Sequence, residues 1–332
     1  MVHRAAVQGA FGGVEKARAL RTGLVLEGGA MRAGFVAGVL MAWLDLGLPL
    51  PDLATGVSAS AATLAYFAAG QRDDMEAVWR GELCDPELVC FQNLPACALT
   101  ANPDRPALDV GRLVFDVFAR RHPLNQWGVS ENPMESRFAA ARVGERRLHL
   151  FRPGEADLYD ILHACMCVPA CYPRTVRIGG GEYLDAGVVD PLPARTVWRM
   201  LGHPERRIVA VLSRPVGWRD DMLPWYERVV FWRYFKANGW MVRSLRRAGL
   251  RYRAQVNRLE DLARLDPPRA LVLRPPGPPP VRFVTLNQER LNRLIDEGYR
   301  EVIRRRDEIE RFLQGSPVGS VRGVSSGGTP PN

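Results

Sequence analysis

The chain has 332 residues, 47% of them hydrophobic and 24% charged, a balance that fills at least one large core and excludes a chain disordered throughout. Its formal net charge is +9, and the cations are almost all arginine: Lys16 and Lys236 are the only lysines among 45 basic residues. Such a surplus is either a general surface bias or an affinity for anions, and no recognised nucleic-acid motif accompanies it, so no nucleic-acid partner is expected.

Residues 1–20 read as a loosely ordered lead-in, in which Glu15 and Lys16 interrupt any apolar run, so no signal peptide is evident. Thr22–Leu26 is a short apolar strand without alternation, as expected of a strand buried on both faces. A turn of small residues follows, Glu27-Gly28-Gly29-Ala30-Met31-Arg32-Ala33-Gly34. Helical spacing of Phe35, Val39, Ala42, Trp43 and Leu46 then predicts a helix that Pro49 and Pro51 stop. A second apolar strand, Leu53–Val57, leads into Ser58 and a small-residue helix ending near Gly70. Leu53 to Gly70 carries no charge, but its Gly, Ser, Thr and Ala fit a buried strand–helix unit better than a membrane span. This β–turn–α–β–turn–α order predicts a parallel sheet with helices on its faces. Both turns then lie at the carboxyl ends of neighbouring strands, where open α/β sheets bind ligands.

Further on, helices are predicted over Asp73–Leu83, Asp109–Arg121, Met134–Val143 and Leu158–Cys167, and a strand over Arg147–Phe151. Thr175–Ile178 and Glu182–Leu184 flank three glycines as a hairpin ending at Asp185-Ala186-Gly187. Ala194–Met200 reads as a helix, Ile208–Leu212 as a buried strand, and Pro224–Leu265 as a basic, aromatic and largely helical region. Leu271–Leu273 is a late strand, and Asn287–Phe312 one long charged helix. Residues 315–332 are rich in Gly, Ser and Pro and are expected to be disordered. One domain is expected over residues 21–314.

The six cysteines form no C-x-x-C pair and no histidine pair has zinc-ligand spacing, so neither a metal nor another cofactor is expected. Cys165, Cys167 and Cys171 lie in an apolar stretch and read as buried thiols of a reducing compartment. A cytoplasmic protein is expected, with peripheral membrane contact as an extension of that reading.

Gly56-Val57-Ser58-Ala59-Ser60 approximates the G-x-S-x-G elbow that presents a nucleophilic serine at a sharp strand–helix turn. Read alone, a serine in such a run is more often a turn or cap residue. A nucleophile also needs a base and donors for an oxyanion. The Gly28-Gly29-Ala30 turn offers backbone N–H groups at a helix start. Among the histidines, only His203 follows Asp185 in a Ser…Asp…His order, and each histidine is more often structural. A carboxylate acting directly on the serine is the better candidate, and Asp185 in its glycine-flanked turn suits that role, although such an aspartate is more often a turn residue.

Taken together in this order, Gly28-Gly29-Ala30-Met31-Arg32, Gly56-Val57-Ser58-Ala59-Ser60 and Asp185-Ala186-Gly187 resemble the three signatures of patatin-like phospholipases, bacterial branch. Tyr183 to Pro193, Val211 to Trp218 and Leu271 to Pro275 extend the likeness, which covers roughly residues 22–305. The resemblance implies an α/β protein with a three-layer α/β/α patatin-like fold and a mainly parallel central sheet. It implies a Ser–Asp dyad with Ser58 as nucleophile and Asp185 as base, an oxyanion hole of Gly28, Gly29 and Ala30, and a lipid acyl ester as substrate. Arg32 would guide an anionic headgroup, orient its loop or simply pair with a carboxylate. The chain departs from the family's usual glycines at Ala33, Ser60 and Ala186, and often at Ala30. A Cβ at Ser60 or Ala186 costs on the order of 1 kcal/mol wherever the backbone needs positive φ. A catalytically weak lipid- or membrane-binding module is therefore the competing expectation. The aromatic and cationic run Phe231 to Arg247 would serve an anionic membrane surface, or pack its aromatics inward.

Overall fold

The computed structural model describes residues 20–93, 96, 105–169, 171–217 and 239–315. Nearly all of the expected lead-in and tail, and residues 224–238 of the basic aromatic region, lie outside the described residues. Eight strands form one sheet: β1 (Thr22–Leu26), β2 (Leu53–Val57), β3 (Glu135–Arg142), β4 (Arg147–Phe151), β5 (Val176–Ile178), β6 (Gly181–Asp185), β7 (Arg207–Val211) and β8 (Ala270–Leu273). Their order is β5-β6-β3-β2-β1-β7-β8, with β4 also pairing β3. The run β3-β2-β1-β7-β8 is parallel throughout, and β4, β5 and β6 join antiparallel at one side.

Ten helices follow in chain order among the described residues: α1 (Gly34–Asp45), α2 (Ala59–Ala68), α3 (Arg72–Ala77), α4 (Val110–Arg112), α5 (Gln126–Glu131), α6 (Leu158–Met166), α7 (Ala194–Met200), α8 (Gly239–Ala263), α9 (Gln288–Arg304) and α10 (Arg306–Gln314). Two of them continue with π-helical hydrogen bonding, α3 over Val78–Glu82 and α4 over Leu113–Arg121. The sheet explains why β1, β2 and β7 show no apolar–polar alternation: both faces are covered. Leu24, Leu26, Val209 and Val211 pack into one core with Phe35 and Trp43 of α1, Leu64 and Phe67 of α2 and Ile295 of α9. The intervening Val25, Ile208 and Ala210 pack into a second core with Val197 and Leu201 of α7 and Leu259 and Leu262 of α8. Two cores on opposite faces of one sheet are a three-layer α/β/α sandwich.

Two sequence expectations are corrected. Met134–Val143 is not helical; its centre is β3, with Phe138 to Ala141 fully buried. Alanine's helical preference is a weak bias of under about 1 kcal/mol per residue, and pairing along both edges of a central strand overrides it. Asn287–Phe312 is not one helix either. It breaks at Arg305 (φ −112, ψ 18), whose guanidinium donates to the Val272 carbonyl of β8 at 2.7 Å and pairs with Glu308 at 2.7 Å. Helix α5, which periodicity did not reveal, starts where the Asn125 side chain accepts from Gly128 N–H at 2.9 Å.

Candidate active site

Strand β2 ends at Val57, and α2 begins at Ala59, leaving Ser58 alone at the turn with φ 56 and ψ −133. That conformation favours glycine, and a serine holds it only where the surrounding fold imposes it. Gly56 lets the chain double back, because a Cβ there would lie 2.5 Å from the Ser60 carbonyl oxygen. Ser60 itself sits inside α2, and its hydroxyl donates to the Glu27 carbonyl at 2.7 Å. Neither Ser60 nor Ala186 has positive φ. The backbone strain expected at those two positions falls instead on Ser58 and on Ala30, with φ 47.

Asp185 reaches Ser58 through β3. Val57 pairs with Ala139, and Asp185 pairs with the next residue, Ala140. Since β4 occupies the other edge of Ala140 through His149, β2 and β6 must share one edge of β3, meeting end to end. The Ser58 side chain lies close enough to the Asp185 carboxylate to hold its pKa down, and Gly187 N–H donates to Asp185 Oδ1 at 2.7 Å. Asp185 is only 4% exposed. Burial pushes its pKa up to about 6, with Ser58 and the Gly187 N–H opposing the rise. Cys165, Cys167 and Cys171 are buried here, and burial together with the Asp185 charge pushes the Cys165 and Cys167 thiols up.

The four described histidines are engaged elsewhere. His122 faces Glu82 at 3.3 Å, His163 contacts the Tyr172 hydroxyl at 3.0 Å, His149 packs edge to face with Phe151, and His203 accepts from Glu205 N–H. Among the described residues no His, Cys, Asp and Glu cluster could hold a metal ion.

The glycine turn lies against the elbow. A Cβ on Gly28 would sit 3.2 Å from Ser58 Cβ, and one on Gly29 would sit 2.5 Å from Ser213 Oγ. Gly28 N–H donates to the Pro191 carbonyl at 3.2 Å, and Met31 N–H to the Phe283 carbonyl at 3.0 Å. The N–H groups of Gly29 and Ala30 have no backbone acceptor among the described residues. Of the three donors expected from the sequence, Gly28 thus has its hydrogen bond committed, and Gly29 and Ala30 have theirs available.

Beneath this turn lies a residue whose importance the sequence did not reveal. Glu27 is fully buried, pairs with Arg214 at 3.0 Å, and accepts from Ser213 N–H at 2.8 Å and from the Tyr252 hydroxyl at 3.3 Å. Burial raises its pKa, and the charges of Arg214 and Arg32 oppose that. Arg32 therefore acts on a carboxylate under the turn, and its guanidinium also lies 5.9 Å from the Phe283 ring centroid. The available signal was an acid set directly after the apolar run Leu24-Val25-Leu26. Asp190 was equally unread: it accepts from Gln255 at 2.8 Å, and its N–H donates to the Ala186 carbonyl at 2.7 Å, bracing the turn that carries Asp185.

No helix among the described residues is long and apolar enough to cross a membrane. In the described half of the aromatic–cationic run, Trp240 and Leu245 pack against the main core; Phe231 to Asn238 lie outside the described residues.

A patatin-like phospholipase family model matches residues 24–198. The chain is 28% identical over 223 residues to the uncharacterized protein YjjU of Escherichia coli (strain K12), which covers 64% of this chain and 57% of that protein. It thus spans less than two thirds of that relative's length. Among solved structures, VipD from Legionella pneumophila is similar with a TM-score of 0.47 at 14% identity, over 87% of this chain and 67% of that one. Human GIVD cytosolic phospholipase A2, in complex with methyl gamma-linolenyl fluorophosphonate, gives a TM-score of 0.46 at 14% identity, over 90% and 59%. The matched family region spans more than half of the chain and takes in the glycine turn, Ser58 and Asp185, so the protein belongs to the patatin-like phospholipase family.

Proposed function

We propose that the protein is a serine lipid acyl hydrolase, cleaving carboxylic esters of phospholipids, lysophospholipids or neutral acyl lipids. The observation that carries this reading is the strained Ser58 set against the buried Asp185 carboxylate, beside two backbone N–H groups with no backbone acceptor among the described residues. Asp185 takes the Ser58 proton as Oγ attacks the ester carbonyl. The carbonyl oxygen becomes an oxyanion and is held by the N–H groups of Gly29 and Ala30, each such donor being worth about two to three powers of ten in rate. The tetrahedral intermediate collapses, the C–O bond to the lipid alcohol breaks, and Asp185 returns the proton to the leaving oxygen. Water then attacks the acyl-enzyme, giving its proton to Asp185, and the fatty acid leaves as Ser58 regains its hydrogen.

Fatty acid release from phosphatidylcholine, lysophosphatidylcholine and monoacylglycerol tests this, with Ser58→Ala and Asp185→Asn alongside. The expected result is release by the wild-type protein from at least one ester and none by either variant. Lipid binding without release from any ester would instead support the non-catalytic module.

A further inference from the structure

Helices α7 and α8 lie on the same face of the sheet and enclose a cleft of about 400 Å³, within the range of small-molecule sites. The α8 residues that line it, Arg251, Ala254, Gln255, Arg258, Leu259 and Leu262, recur at helical spacing as one stripe. From α7 come Ala194, Arg195, Trp198 and Arg199, and from β7 Ile208. The stripe from Arg251 to Leu262 runs about 16 Å at 1.5 Å per residue. Its floor is apolar, since Leu259 and Ile208 are buried and the one buried polar residue, Gln255, is already satisfied. The Gln255 side chain accepts from Arg195 N–H and donates to Asp190, both at 2.8 Å.

The mouth has the opposite character. Arg195, Arg199 and Arg258 are exposed and form no ion pair with a carboxylate among the described residues. On α9 and α10, Arg293, Arg304 and Arg306 are each answered by a glutamate three or four residues away, while Arg300 and Arg311 donate to backbone carbonyls. An elongated apolar floor under unanswered guanidinium groups is complementary to a single hydrocarbon chain with an anionic end.

We propose that this cleft is a binding site for a free fatty acid, its tail along α8 and its carboxylate among Arg195, Arg199 and Arg258. The site is separate from the chemistry at Ser58. Ile208 is level with Gly23 and Leu53 across the sheet, and Ser58 lies five residues further along, about 16 Å at 3.3 Å per residue.

Fluorescence titration with 11-(dansylamino)undecanoate below its aggregation threshold, on Ser58→Ala protein, tests the proposal without turnover. One equivalent of probe is expected to be displaced by dodecanoate, and roughly tenfold less readily by 1-dodecanol, which lacks the charge. Replacing the three exposed arginines together (Arg195→Ser, Arg199→Ser, Arg258→Ser) should weaken that equivalent by roughly tenfold, the sum of three exposed charge contacts. Ala254→Trp, at an exposed position, should remove it by filling the cleft. Absence of probe binding, displacement by dodecanol as readily as by dodecanoate, or affinity and stoichiometry unchanged in both variants would overturn the assignment. Fatty acid release by the wild-type protein reports on Ser58 independently of any of these outcomes.

Discussion

Ser58 and Asp185 meet because β2 and β6 end head to head on one edge of β3, opposite the consecutive residues Ala139 and Ala140. Strands running in opposite directions thus deliver Ser58 and Asp185 to one point from segments 127 residues apart. The same geometry encloses the carboxylate, and its chemistry follows from that enclosure.

In the proposed mechanism a buried Asp185 with a pKa of about 6 sets the pH dependence. It accepts a proton only when ionised, so kcat/KM for ester hydrolysis should rise with pH through about 6 and level off above it. Stability should move the other way. The folded-state pKa lies above the ordinary 3.8, so the native protein binds this proton more tightly than the unfolded chain, and the Asp185 contribution falls as pH rises from about 4 to about 6. Asp185→Asn should therefore be inactive yet melt above the wild-type protein at about pH 7.5, with the gap narrowing toward about pH 4.5. Thermal melts at the two pH values check the sign.

Glu27 holds the glycine turn to the chain just after β7 through Ser213 and Arg214, and to α8 through Tyr252. Glu27→Ala breaks the buried pair with Arg214 and should cost about 3 kcal/mol or more. In an Arg214→Met background the same substitution should cost less, because the pair is already broken. Urea melts of the two single variants and the double variant measure the coupling, and strictly additive effects would contradict it.

Ala30 occupies a left-handed conformation and supplies one of the two available N–H groups. Ala30→Gly relieves about 1 kcal/mol of strain but loosens the unfolded chain by a similar amount, so stability and kcat should stay near wild type. Ala30→Val puts a β-branched side chain at φ 47 and should displace the donor, lowering kcat by about a hundredfold. Steady-state kinetics on a soluble ester, with circular dichroism as a folding control, separates the two.

Much of this was legible in the sequence because it is local. Two apolar strands ending in small-residue turns gave β1, β2 and their neighbouring carboxyl ends, and the glycine-flanked Asp185 marked the third piece. What was hidden depends on partners far away in the chain. Phe138 to Ala141 looked helical until three strands claimed both edges of β3. The commitment of Gly28 to Pro191, and of Glu27 to Ser213 and Arg214, spans some 160 to 190 residues, and no local pattern encodes it. Strain was sought at Ser60 and Ala186 because they replace glycines, but backbone angles are set by the turn as a whole.

The central claim is that Ser58 is a nucleophile driven by Asp185. Incubation with an alkyl fluorophosphonate, followed by peptide mass spectrometry, tests it most directly. One adduct per chain on the Ser58 peptide is predicted, absent in Ser58→Ala and slowed by orders of magnitude in Asp185→Asn. An unlabelled Ser58 in wild-type protein, or ester hydrolysis undiminished in Ser58→Ala, would contradict it.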